Sequence, residues 1–349
     1  MVHIHKCYRK WADRELRVMP YCSAREQVFP AFGLTHPFNV GFGVPIARQS
    51  DDAQGTLTFF FREVQTKDGK ASSRILGVTN KHVACLDTTT HYEFQETDPQ
   101  HILVCGDRRF ALAINAIEEK VDDCFRDLLG LTEQLTLAKM KAQWGETKYC
   151  APKISVGTGD RPYTCDIATF AVDEDKMVNF EVNALDFGNQ YNARQLEKLF
   201  WTDVTSSNKN CIPEDLQLPV VRVLPHHLVI TPDSVGKDGE PLFVVAKYGS
   251  KTNLTLGRYS TLKAYVCDDL GVESQEVAVF NHSTGGNFSG RGDSGSLIVT
   301  GRGDAVAVLH SCMTHEGHPH VTYATPAYYV IELIRAEYPF AEFCGIATN

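Results

Sequence analysis

The stretch "NFSGRGDSGSLIVTGRGDAVAVLH", Asn287 to His310, decides how the chain is read. Its centre, Gly292-Asp293-Ser294-Gly295-Ser296, sets a serine between glycines in a tight turn. A Gly-Asp-Ser-Gly tetrapeptide also arises by chance in a glycine-rich hairpin. A hydroxyl is a poor nucleophile at neutral pH and needs a general base. That base is usually a histidine, held in the right tautomer by a buried carboxylate. The question is whether the other residues supply both.

The chain has 349 residues, enough for one large domain or two packed ones. Hydrophobic content of 43% and charged content of 22% suit a globular protein. A net charge of −9, with scattered Lys and Arg, argues against a nucleic-acid partner. No run of 18 apolar residues is present, so no membrane-spanning helix is expected. The opening "MVHIHKCYRKWADRELRV" lacks the apolar core of a signal peptide, and the eleven cysteines form no CxxC pair. Reduced thiols and a cytosolic setting are the expectation.

Short β-branched runs bounded by Gly, Pro, Asn and Asp recur along the chain. Examples are "GTLTFFFREV", "RILGVTNKHV", "DIATFAV", "PLFVVAKYG", "EVAVFNH" and "AVAVLHS". This punctuation predicts a mainly β protein built from antiparallel strands. From Ile114 to Ala142 apolar residues alternate at spacings of three and four, which predicts a helical insertion packed on the β-body. "AYYVIELIRAEY", between Pro326 and Pro339, predicts a terminal helix. A polar segment after Phe187 separates the early strands from the later ones and carries a short helix near Ala193–Trp201.

Among thirteen histidines, His82 lies in "ILGVTNKHVACL", where an apolar strand runs into a turn at the rim of a cleft. Asp166, in "CDIATFAV", leads directly into an apolar strand. It reads either as a solvated strand cap or as a buried acceptor for an imidazole N–H.

The order His82, Asp166, Ser294 resembles that of the chymotrypsin-like (trypsin-fold) serine peptidases. "GVTNKHV", "CDIATF", "GRGDSGS" and "YATPAYYVIELI" each resemble the corresponding motif of that family, from about Gly41 to Tyr338. "GTGDRPYTCDIATFAVDEDKM" and "FSGRGDSGSLIV" carry a narrower resemblance to intracellular fungal trypsin-like proteins. The family resemblance implies two packed six-stranded antiparallel β-barrels with the helical insertion and the C-terminal helix. The expected layout is an extension over residues 1–40, a first barrel over 41–190 with the insertion at 114–142, a crossing segment over 191–218, and a second barrel over 219–349.

The resemblance also implies roles. Ser294 would attack a peptide carbonyl, His82 would move the proton, and Asp166 would orient the imidazole. The N–H groups of Gly292 and Ser294 would form the oxyanion hole. Ser311, Cys312 and Met313 would pair with the substrate backbone, and Phe288, Met313 and Val321 would line an apolar primary pocket unlike that of trypsin. No metal or other cofactor is required. The expected substrate is a protein or peptide, with the insertion available to a partner. The alternatives are an inactive protease-fold regulatory module and an esterase using the same triad.

One departure bears on activation. In digestive members of the family, the aspartate before the nucleophile pairs with an amino terminus made by cleavage. Asp293 is present, but about 40 residues precede the first barrel with no clear activation site. Either Arg48, in "GVPIARQS", is a cut point, or another group satisfies Asp293 in a constitutively formed site. In "CMTHEGHPH", Cys312, His315, His318 and His320 lie close together, yet their spacing fits no standard zinc pattern and reads as a polar loop.

Overall fold

A computed structural model describes residues 41–94, 100–104, 106, 150–151, 154–157, 162–172, 180, 182–188, 190–201, 204–205, 212–236, 238–267, 272–282, 286–313 and 320–348. The N-terminal extension and the helical insertion lie outside the described residues, as do His315 and His318.

The early half is a set of short sheets. Strands β1 (Pro45–Arg48), β2 (Gln54–Thr56), β3 (Phe60–Glu63) and β4 (Ile75–Thr79) are followed by a single helical turn, α1 (Lys81–Ala84). Then come β5 (Ile102–Val104), β6 (Thr164–Cys165) and β7 (Ala168–Ala171). One sheet runs β2-β1-β5, and another begins β7-β4-β3. These sheets do not close on one another among the described residues, so the first of the two expected barrels is not seen as a closed barrel.

The crossing segment carries α2 (Ala193–Trp201). Its start is a reciprocal cap: Gln195 N–H donates to Asn192 Oδ1 at 2.9 Å, and Asn192 N–H donates to Gln195 Oε1 at 2.9 Å. Ala193, Leu196 and Phe200 fall on one face and are buried.

The later half closes. Strands β8 (Leu242–Gly249), β9 (Asn253–Cys267), β10 (Glu273–Asn281), β11 (Leu297–Thr300), β12 (Asp304–Met313) and β13 (Val321–Pro326) pair in the order β12-β11-β8-β9-β10-β13. A further β12–β13 pairing completes a six-stranded antiparallel barrel. Closure depends on the length of β12, which pairs with β11 through Val308 and with β13 through Met313.

Period-two alternation sorts β8 between two cores. Phe243 and Val245 join Tyr259, Val279, Ile298 and Leu309 inside the barrel. Leu242, Val244 and Ala246 face the other way, into a core shared with β3, β4, α2 and the terminal helix α3 (Ala327–Glu337). Ala327, Val330, Ile331 and Ile334 form the buried stripe of α3, and β14 (Ala341–Glu342) returns to pair with β3. No helix among the described residues is long and apolar enough to cross a membrane.

Candidate active site

His82 sits in α1, which begins two residues after Thr79, the last residue of β4 to pair with β7. Its Nδ1 lies 2.5 Å from Asp166 Oδ2, and its backbone N–H donates to Asp166 Oδ1 at 3.1 Å. His82 is thus held at two points, ring and backbone, by one carboxylate. Asn80 fixes that carboxylate's backbone by donating to the Asp166 carbonyl at 2.7 Å. Asp166 is 8% exposed, so the strand-cap reading gives way to that of a buried acceptor.

The electrostatics follow from this contact. Burial opposes charge on His82, but the adjacent Asp166 carboxylate outweighs it and raises the imidazole pKa above its usual value; Arg48 pulls the other way. Burial likewise opposes charge on Asp166, yet His82, with a smaller contribution from His310, holds its pKa below the ordinary carboxylate value.

Ser294 occupies the turn before β11 and is bound to the early half through its backbone. Its carbonyl accepts from Thr56 N–H at 2.8 Å. The Thr56 carbonyl accepts from the Thr79 hydroxyl at 2.9 Å, and Thr79 ends the strand that leads to His82. Thr58 Oγ1 donates to the Gly295 carbonyl at 2.6 Å. A Cβ at Gly295, where φ is +91°, would lie 2.1 Å from the Thr56 carbonyl oxygen, so only glycine allows this approach. The histidine strand and the serine turn are therefore joined through Thr56. The Ser294 hydroxyl donates to the His310 carbonyl at 3.4 Å, and no hydrogen bond joins it to His82 among the described residues.

Gly292 has φ +109°, a conformation open to glycine. Its carbonyl accepts from Ser250 Oγ at 2.6 Å and from Thr56 Oγ1 at 3.2 Å, which fixes the following peptide plane. Among the described residues, neither Gly292 N–H nor Ser294 N–H donates to a protein acceptor. The two N–H groups expected as oxyanion donors are thus unengaged.

Asp293 has a partner that sequence reading missed. Lys247 Nζ lies 3.3 Å from Asp293 Oδ2, and both side chains are fully buried. Asp293 also accepts from Lys251 N–H (2.7 Å), Thr252 N–H (3.1 Å), Gly290 N–H (2.9 Å) and Thr252 Oγ1 (2.7 Å). Lys247 donates to Thr252 Oγ1 at 2.5 Å and to the Asn253 carbonyl at 3.2 Å. Burial disfavours the charge on Asp293, but Lys247 and these donors hold its pKa below the usual value. Burial lowers the Lys247 pKa, with Asp293 opposing. Arg48 is a poor cut point. It is 6% exposed, lies in β1 between β2 and β5, and is paired with Asp51 at 2.7 Å.

The residues expected to bind substrate separate into two sets. Ser311, Cys312 and Met313 are exposed at the end of β12. There β13 pairs with one edge, while the partnering with β11 has ended at Leu309. Val321 faces Met313 across the β12–β13 ladder. Phe288 belongs elsewhere. Its side chain is 0% exposed and packs inside the barrel, with Lys247 Nζ 5.7 Å from its ring, so it has no surface to offer a substrate. The apolar periodicity of the barrel strands said nothing about Phe288, which lies in a loop.

The solved structures that resemble this fold are serine proteases of the chymotrypsin-like class. Thermobifida fusca Protease A shows 10% identity and a TM-score of 0.40, over 85% of this chain and 96% of that one. Nocardiopsis Protease shows 11% identity and a TM-score of 0.39, over 86% and 97%. A glutamic acid-specific serine protease shows 12% identity and a TM-score of 0.37, over 84% and 97%. The sequence matches no protein-family model and no curated protein. At such identities, the roles of individual residues rest on the geometry described above.

Proposed function

We propose that the protein is a serine endopeptidase using Ser294, His82 and Asp166. The observation that carries this reading is the two-point grip of Asp166 on His82, through Nδ1 at 2.5 Å and the backbone N–H at 3.1 Å. It leaves Nε2 as the basic nitrogen of the ring. In the reaction the Ser294 hydroxyl turns from the His310 carbonyl to His82 and attacks the substrate carbonyl carbon. His82 takes the hydroxyl proton and returns it to the leaving amine, giving an acyl-enzyme. Water then repeats the sequence and releases the acid. Gly292 N–H and Ser294 N–H stabilise the oxyanion, a contribution of about 3 kcal/mol per donor.

The substrate adds a strand to the open edge of β12 beyond Leu309. The site forms without a cleavage step, because Lys247 supplies the cation that Asp293 needs. A cytosolic setting belongs to the proposal and rests on the sequence, whose eleven cysteines form no CxxC pair. The kinship with intracellular fungal proteins rests on sequence motifs alone.

A second reading, a protease-fold binding module with little turnover, is favoured by one observation: the Ser294 hydroxyl is bonded to His310 rather than to His82. A fluorophosphonate probe separates the two. The full chain should be labelled at Ser294, and Ser294→Ala should abolish labelling. A folded wild type that takes up no probe overturns the peptidase reading. A peptide library then distinguishes peptide from ester hydrolysis and reports the preferred residue at the cleavage site.

A further inference from the structure

His310 breaks the register of β12. Leu309 faces Ala324 and Ser311 faces Tyr323 on β13, so His310 is an extra residue in the ladder, a β-bulge beside the serine turn. Bulges re-aim the groups they carry. Here the His310 carbonyl receives the Ser294 hydroxyl, while its ring turns toward β10. There Nε2 lies 3.1 Å from Glu276 Oε2, and Nδ1 lies 2.9 Å from Ser311 Oγ.

Glu276 is 1% exposed. Its other oxygen, Oε1, accepts from Thr164 N–H at 3.1 Å and from Thr164 Oγ1 at 2.5 Å. Thr164 stands two residues before Asp166. One buried carboxylate therefore holds the arm that carries Asp166 with one oxygen and the bulge beside Ser294 with the other. Further bonds hold the same arm: Gln275 N–H donates to the Pro162 carbonyl at 2.7 Å, and Thr325 Oγ1 donates to the Thr164 carbonyl at 2.7 Å.

We propose that Glu276 is a positioning residue that sets the distance between the His82–Asp166 pair and the Ser294 hydroxyl, acting through Thr164 and the His310 bulge. This rests on the peptidase reading. Glu276 touches neither substrate nor the reacting atoms. A displacement of about 1 Å between reacting groups lowers rates by roughly 100-fold, and a carboxylate spanning both arms opposes such a displacement.

The test is fluorophosphonate inactivation of the full chain, with kinact and KI measured separately from the labelled fraction. Glu276→Ala is expected to lower kinact by about 10- to 100-fold at unchanged KI and full labelling amplitude. Loss of folded protein lowers the amplitude instead. Glu276→Gln, which keeps an acceptor for Thr164, restores most of kinact. Thr164→Val and His310→Asn carry the test should Glu276→Ala not fold. Each is expected to lower kinact, and the double variant loses less than the product of the two, because both act through one carboxylate. Wild type that takes up no probe overturns the peptidase reading and this inference with it. Labelled wild type with Glu276→Ala at the wild-type kinact overturns the inference alone, as do independent, multiplicative effects of Thr164→Val and His310→Asn.

Discussion

Lys247→Met tests how the Ser294 turn is held. Methionine keeps the length and apolar stem of lysine and removes the charge. In the native protein the two side chains of the pair are fully buried at 3.3 Å, so solvent screening does not weaken the interaction. Breaking one partner of a buried pair costs about 3–5 kcal/mol, because the other charge is stranded. Asp293 keeps three backbone N–H donors and the Thr252 hydroxyl, which places the expected loss near the lower end, about 3 kcal/mol. Where the whole domain bears it, urea unfolding reports that loss directly. Where only the turn from Gly290 to Ser294 rearranges, the ratio of formed to rearranged turn falls about 100-fold and fluorophosphonate labelling of Ser294 slows by up to that factor. Lys247→Met/Asp293→Asn removes the stranded charge and recovers most of the stability. A Lys247→Met protein with stability within about 0.5 kcal/mol and labelling within about twofold of wild type would falsify the reasoning. So would a wild type that labels only after its chain is cut.

Four further outcomes follow from the geometry. Asp166→Asn lowers labelling by about 10³- to 10⁴-fold and moves its pH midpoint down, since the neighbouring carboxylate is what raises the His82 pKa; an unmoved midpoint counts against the pairing. In wild type, labelling rises with pH through that raised pKa as His82 loses its proton. The stabilising His82–Asp166 attraction has the opposite sign: it is fully present below the unfolded histidine value of about 6.5 and fades as pH climbs through the folded value. Gly292→Ala leaves room for the methyl, whose nearest neighbour is Ser250 Oγ at 3.5 Å, but strains a φ of +109° by about 1–2 kcal/mol. Labelling should therefore fall while the thermal melt changes little. Phe288→Ala empties part of the barrel interior and destabilises the fold by about 3–5 kcal/mol, without changing the residue preferred at the cleavage site; a changed preference with unchanged stability would return Phe288 to the pocket.

The residues that were legible in the sequence are those whose identity is required by local chemistry. Period-two runs announce strands such as β8 and β10, and the stripe at Ala327, Val330, Ile331 and Ile334 announces α3. His82 and Asp166 stand where strands meet turns, so their contexts could be matched one by one. What escaped reading is what depends on strand order. Lys247 is a charged residue within an apolar strand, and its partner lies 46 positions away across the β8–β11 pairing. Glu276 is likewise charged in an apolar strand, and nothing near it in sequence points to Thr164 or His310. A buried charge in a β-strand is nonetheless a signal of its own, because leaving it without a partner costs too much to persist. The barrel strands carry three such residues: Asp304 pairs with Arg222 and Arg302, Lys247 lies against Asp293, and Glu276 joins Thr164 to the His310 bulge. Two of the three charges that break the strand pattern therefore lie beside the candidate site, and Phe288, an apolar loop residue, belongs to the core.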